Sequence, residues 1–86
     1  MYIVHMTFEW DTKKNAKLKE ERGVSFEQAE NEILENRYSF EEKTNGERVL
    51  IVKINNYTHC VAFEIRENKI RLITIYPSRK YHKKRG

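Results

Sequence analysis

The sequence predicts an α+β domain: one strand, two helices, then an antiparallel meander of three to four strands, with both helices packed on one twisted sheet. Residues 2–10 alternate apolar and polar side chains, which is the strand period. Asp11 and Ser25 are N-cap residues, and each opens a stretch with helical character. From Tyr38 onward, β-branched and aromatic runs are separated by Asn45-Gly46, Asn55-Asn56 and Glu67-Asn68, the punctuation of successive hairpins. At 86 residues the chain makes a single domain with a thin core, and residues 78–86 form a basic C-terminal tail.

The first strand sets Tyr2, Val4, Met6, Phe8 and Trp10 on one face and Ile3, His5, Thr7 and Glu9 on the other. The first helix is predicted over 12–22 and ends at Gly23, a residue suited to the C′ position. Its apolar residues are only Ala16 and Leu18, so it is expected on the surface, with little packing to hold it. Ser25 and Gln28 form a capping box for a second helix over 26–35, preceded by Val24 as a staple residue for Ala29. Phe26, Ala29, Ile33 and Leu34 make the stripe that this helix lays on the sheet. Strands follow over 38–43, 48–54, 57–65 and 69–76. The second of these is apolar enough to be central, and Pro77 ends the last ladder.

Composition narrows the class. A single Cys60 leaves no internal disulfide and no second thiolate for a structural zinc site, which points to a reducing cytoplasm. Neither a signal peptide nor a membrane-span-length apolar run is seen, so no membrane association is expected. The ten aromatics (five Tyr, four Phe, one Trp) compensate for a charged content of 35%. Of the 17 Lys and Arg, Arg79, Lys80, Lys83, Lys84 and Arg85 lie in the tail, where there is no acid; the remaining 12 are outnumbered by 13 Asp and Glu. The net charge of +4 therefore resides at one end, an electrostatic footprint for a polyanion such as RNA. Tyr76, Tyr81 and His82 stand among these charges and could stack on bases or move protons. The other reading is a frayed, solvated terminus. With little apolar area in the tail, its removal is expected to change stability by less than about 1 kcal/mol. The acidic stretch 27–42 holds six Glu against Arg37, a solvated face that could steer RNA toward the tail.

The blocks Phe8-Glu9-Trp10-Asp11, Lys14-Asn15 and Arg22-Gly23-Val24-Ser25-Phe26-Glu27 resemble the N-terminal signature of BrnT-type toxins. Arg71-Leu72-Ile73-Thr74 followed by Pro77-Ser78-Arg79-Lys80 is similar to that family's closing strand and basic end. The resemblance covers residues 8–80. It departs at Tyr76, where many members carry a second Arg, and at Lys80-Tyr81-His82. It implies a RelE-like fold and RNA cleavage that stops translation. The implied partner is an antitoxin with a ribbon-helix-helix DNA-binding part, in a heteromeric complex. Alternatives are a non-catalytic RNA- or protein-binding module and a gyrase-targeting toxin of the same superfamily.

A metal-independent ribonuclease uses the ribose 2′-OH as nucleophile. It needs a base, an acid for the 5′-oxygen, and cations around the pentavalent phosphate. No metal motif, phosphate loop or dinucleotide fingerprint is present, so no cofactor or metal is expected. Arg79 is the leading candidate for transition-state stabilisation, because its planar fork matches phosphate and it is expected to be mobile and exposed. Arg71, facing with Ile73 and Ile75, is a candidate phosphate clamp or a solvent-facing charge. Tyr76, alternating with Leu72 and Thr74, is a candidate acid, stacking platform or core residue. His82 is a candidate acid or base, or a disordered terminal residue. Lys80, Lys83, Lys84 and Arg48 are candidate substrate-binding charges. His59 and Cys60 are expected to be buried, and Glu9 and Asp11 to be structural.

Overall fold

A computed structural model describes residues 7–85, with side chains through Lys83. The order is β1 (Thr7–Glu9), α1 (Thr12–Arg22), α2 (Phe26–Leu34), β2 (Ser39–Glu42), β3 (Arg48–Ile54), β4 (Tyr57–Arg66), β5 (Lys69–Pro77) and α3 (Arg79–Arg85). Of the predicted first strand, residues 2–6 lie outside the described residues. Five strands form one sheet in the order β1-β5-β4-β3-β2. The last four pair antiparallel in sequence, and β1 joins β5 in parallel, so the sheet is mixed. Three helices accompany it rather than the two expected.

The local signals act where the sequence puts them. Asp11 accepts hydrogen bonds from the Lys13 and Lys14 amides at 2.8 and 3.3 Å, and Ser25 with Gln28 closes a full capping box. Gly23 ends α1 at φ 68°, a left-handed conformation that only glycine adopts without cost. The Asn55-Asn56 and Glu67-Asn68 pairs all take positive φ, as two-residue hairpins require. Around Asn45-Gly46 the Gly46 amide bonds the Lys43 carbonyl and the Lys43 amide bonds the Glu47 carbonyl, which makes a longer loop.

The larger core lies between the sheet and α1–α2. Leu18, Val24, Phe26, Ala29 and Ile33 meet Leu50, Val52, Ile54, Val61, Phe63, Ile70, Leu72 and Ile75, with Trp10 stacked on Phe26 at 5.7 Å. Leu34 is not in this stripe: it is 53% exposed, because at about 100° per residue it lies on the flank of the line through Phe26, Ala29 and Ile33. Helix α1, poor in apolar residues, is held by polar joints instead. The buried Asn15 takes the Phe26 amide on Oδ1 and donates Nδ2 to Glu27, both at 2.7 Å. Arg22 donates to the Ile75 carbonyl across the sheet's edge.

A β-bulge corrects the reading of β5. Phe63 pairs with Leu72 and Ala62 with Thr74, so Ile73 is the extra residue, 45% exposed. Before the bulge Ile70 and Leu72 point at α1–α2; after it Ile75 does. Arg71 therefore does not share a face with Ile75, nor Tyr76 with Leu72. A second, smaller core on the opposite face holds Val49, Ile51, Cys60, Ala62 and Tyr81, with Tyr76 packed against it.

Candidate active site

The basic tail is a helix docked on this second face, and not a frayed end. Pro77 stops the ladder and Ser78 turns the chain. The Ser78 amide donates to the Thr58 carbonyl at 3.0 Å, and its hydroxyl accepts from the Tyr81 amide at 3.3 Å. Tyr81 is buried in the second core. His82 stacks on Tyr57 with ring centroids 4.2 Å apart and interplanar angle 16°. Its Nδ1 accepts from the Thr58 amide at 3.3 Å, so in the neutral ring the proton sits on Nε2. With Tyr81 and His82 turned inward, Arg79, Lys80 and Lys83 are exposed on the outer side of α3. The Lys80 ammonium lies 5.6 Å from the Tyr81 ring centre. The side chain of Lys84 lies outside the described residues.

Tyr76 sits where β5 passes the hairpin joining β2 and β3. Lys43 donates to its phenol oxygen and lies 4.6 Å from its ring centre; the phenol donates to Glu47 at 3.2 Å; Lys43 and Glu47 are 3.2 Å apart. Burial pushes the Tyr76 hydroxyl above its ordinary value despite Lys43. The Tyr76 oxygen, and after it Glu47, holds the Lys43 ammonium well above the usual lysine range. Three titratable groups thus share one hydrogen-bonded cluster: a phenol kept protonated, a permanent cation and a carboxylate. Behind them Cys60 is buried, and that burial raises its thiol.

Other predicted residues are placed elsewhere. Arg71 is half-buried and paired with Glu9 at 3.3 Å, in a cleft that also holds Asp11, Lys14 and Glu64. It lies four ladder steps from Tyr76, roughly 13 Å at ~3.3 Å per residue. Arg48 is exposed, and its alternation with Val49 puts it on the α1–α2 side of the sheet. Of the expected catalytic set, the fold gathers Tyr76, Arg79 and His82 around α3 and sets Arg71 apart. Sequence reasoning missed Lys43 and Glu47. Their signal was the Asn45-Gly46 hairpin, which brings residues 43 and 47 together. Among the described residues, no group of three or more His, Cys, Asp or Glu side chains could hold a metal ion, and no helix is long and apolar enough to cross a membrane.

A phenol, an ammonium and a carboxylate in one cluster, beside a helix with exposed cations, define a face suited to acid–base chemistry on a polyanion. The family model describing the ribonuclease toxin, BrnT, of type II toxin–antitoxin systems matches residues 10–83. The chain belongs to this family and is a ribonuclease toxin of a type II toxin–antitoxin system. No curated protein and no solved structure gave a significant match.

Proposed function

We propose that this toxin is a metal-independent endoribonuclease of RelE-like architecture that arrests translation in the cytoplasm, with its active site at Tyr76. The observation that carries this reading is the Lys43–Tyr76–Glu47 cluster beside the cationic side of α3.

In this mechanism RNA lies along the second face of the sheet, its phosphates held by Arg79, Lys80, Lys83 and Lys84. The Glu47 carboxylate takes the proton of a ribose 2′-OH, and the 2′-oxygen attacks the adjacent phosphorus. The bond from phosphorus to the 5′-oxygen breaks, and Tyr76 gives that oxygen its proton. The products are a 2′,3′-cyclic phosphate and a 5′-hydroxyl. Lys43 and the Arg79 fork meet the charge that grows on the phosphorane. Tyr76 carries its proton at neutral pH, as the acid role requires. His82 contributes by fixing α3 on Tyr57 and Thr58, and Arg71 by joining β5 to Glu9.

An antitoxin that silences this site covers the second face or α3 with acidic or apolar side chains. We assign it a ribbon-helix-helix DNA-binding part and a place in a heteromeric complex. The test is to incubate purified toxin with RNA and to identify the ends. Cyclic 2′,3′-phosphates from the native chain, and their loss in Tyr76→Phe and Lys43→Gln, are the expected results. Undiminished cleavage by both folded variants would move the site elsewhere.

A further inference from the structure

Arg22, Tyr57, His59 and Pro77 line an open cleft of about 500 Å³ at the end of the sheet, around the edge from Tyr76. None of the four touches the reacting groups in the mechanism above, and Tyr57 enters it only as the ring on which His82 fixes α3. We propose that this cleft receives a guanine base of the RNA and so fixes where along the strand the toxin cuts. The inference rests on the reading that RNA lies across α3 and the Tyr76 cluster.

Hydrogen-bonding capacity selects the base. His59 Nδ1 lies 2.8 Å from the Tyr57 carbonyl oxygen, which can only accept. Nδ1 is therefore the donor, and in the neutral ring Nε2 carries a lone pair. Among the described residues Nε2 has no hydrogen-bond partner, and it is not among the buried atoms sealed without one. Arg22 spends one N–H on the Ile75 carbonyl, which anchors the guanidinium at the cleft. The rest of its fork makes no other hydrogen bond among the described residues. The cleft thus offers a forked donor and a single acceptor between flat walls. Guanine supplies two adjacent acceptors, O6 and N7, for an arginine fork, and N–H donors for an acceptor. Adenine and uracil lack two adjacent acceptors. Cytosine has O2 and N3, but its single ring covers less of the Tyr57 and Pro77 surface than a purine. Guanine is thus the base that meets both the fork and the walls, and CMP binding tighter than GMP would reassign the site. The Tyr57 ring, stacked on His82 and edge-on to His59 at 5.9 Å, and the Pro77 ring supply apolar surface for the base plane. Continuity supports the occupant: His59 pairs with Pro77 in the ladder, one residue from the Cys60–Tyr76 pair, and Arg79 follows two residues on.

The test is an NMR titration of the full chain with 5′-GMP, AMP, CMP, UMP and ribose 5-phosphate. GMP should move the His59 and Tyr57 ring signals and bind about tenfold tighter than UMP, the discrimination one good bidentate contact gives. Arg22→Lys, which keeps charge but loses the fork, should remove most of that preference. Equal binding of all four nucleotides, equal shifts with ribose 5-phosphate, or shifts confined to Lys43 and Tyr76 would overturn the proposal. Should Arg22→Lys fail to fold, cut sites mapped with the native toxin decide: guanine must recur at one fixed position from the cut. Tyr76→Phe separates the two readings. Retained GMP binding with lost cleavage supports both. GMP binding by a toxin whose products lack cyclic phosphate sinks the mechanism and spares the base site. Cyclic phosphates at cuts without a fixed guanine do the reverse.

Discussion

Under α1 and α2 the sheet buries only uncharged side chains; Phe26, Leu50, Ile70 and Ile75 are sealed from solvent. Under α3 the same sheet buries a smaller apolar set, bordered by an ammonium, a phenol and a carboxylate in mutual contact. The two faces draw on the same strands, whose alternate residues point in opposite directions. What separates them is coverage. Two helices spread over one face and exclude water, whereas a single seven-residue helix leaves Tyr76 half-exposed on the other. Stability is concentrated on the first face, and chemistry is possible on the second because it is incompletely covered.

Mutations should separate the faces. The largest effect is expected on the first: Phe26→Ala removes a fully buried ring stacked on Trp10 and should cost about 4 kcal/mol in urea unfolding. A loss comparable to that of an exposed residue would erase the contrast. Removing residues 79–86 should cost about 3 kcal/mol by thermal melting, because Tyr81 loses its burial and His82 its stacking. This replaces the sequence-based expectation of a near-neutral truncation. Arg79→Ala or Lys83→Ala, which leave the docked side of α3 intact, should change stability by less than about 0.5 kcal/mol.

On the second face, Tyr76→Phe should lower the single-turnover cleavage rate by about 100-fold while moving stability by less than about 1 kcal/mol. If the phenol is the acid, its raised titration places the alkaline loss of cleavage above the ordinary tyrosine value, about 10. An activity loss near neutrality would point to another acid. On the first face, an effect smaller than that of Phe26→Ala is expected at the joint between α1 and α2. Asn15→Ala leaves the Phe26 amide without its partner and should cost about 1–2 kcal/mol by denaturation. The smallest concerns Glu27, whose carboxyl is held below its ordinary value first by the Asn15 amide. A depressed folded-state value stabilises above the unfolded value and is lost as pH falls through the folded one. Acid titration should therefore loosen this joint below pH 4.5, and Glu27→Gln should flatten that part of the melting profile.

Local features were legible in the chain and non-local ones were not. Asp11, the Ser25–Gln28 box, Gly23 and the two-residue turns depend on neighbours within four positions, so residue type alone announces them. The flip of β5 at Ile73 was hidden because a bulge is set by the partner strand, and Ile73 looks like any other strand residue. The docking of α3 was hidden because Tyr81 and His82 are scattered among five charges, and counting charge overlooks two rings with a surface to cover. For the candidate site, Tyr76, Arg79 and the cationic tail could be named from sequence, but not that the tail is a helix. Lys43 and Glu47 could not, because only the folded sheet sets them beside a residue 33 and 29 positions away.

The parallel pairing of β1 with β5 has a consequence for the order of folding. Glu9 and Arg71 are 62 residues apart, and every helix and strand between α1 and β4 lies in the loop their contact closes. The hairpins of β2 through β5 can form by short steps, but this closure needs nearly the whole chain to have been made and largely ordered. Among the described residues it is made by three residues of ladder and the ion pairs from Glu9 to Arg71 and Lys69. A contact that closes so long a loop at the edge of the sheet is the last to form and the first to open. Amide exchange should therefore be faster in β1 than in β4, whose ladders lie on both sides. Opening there exposes Trp10 and the edge of β5 while the hairpins hold Tyr76, Lys43 and Glu47 together, so partial unfolding would begin at the edge farthest from β2.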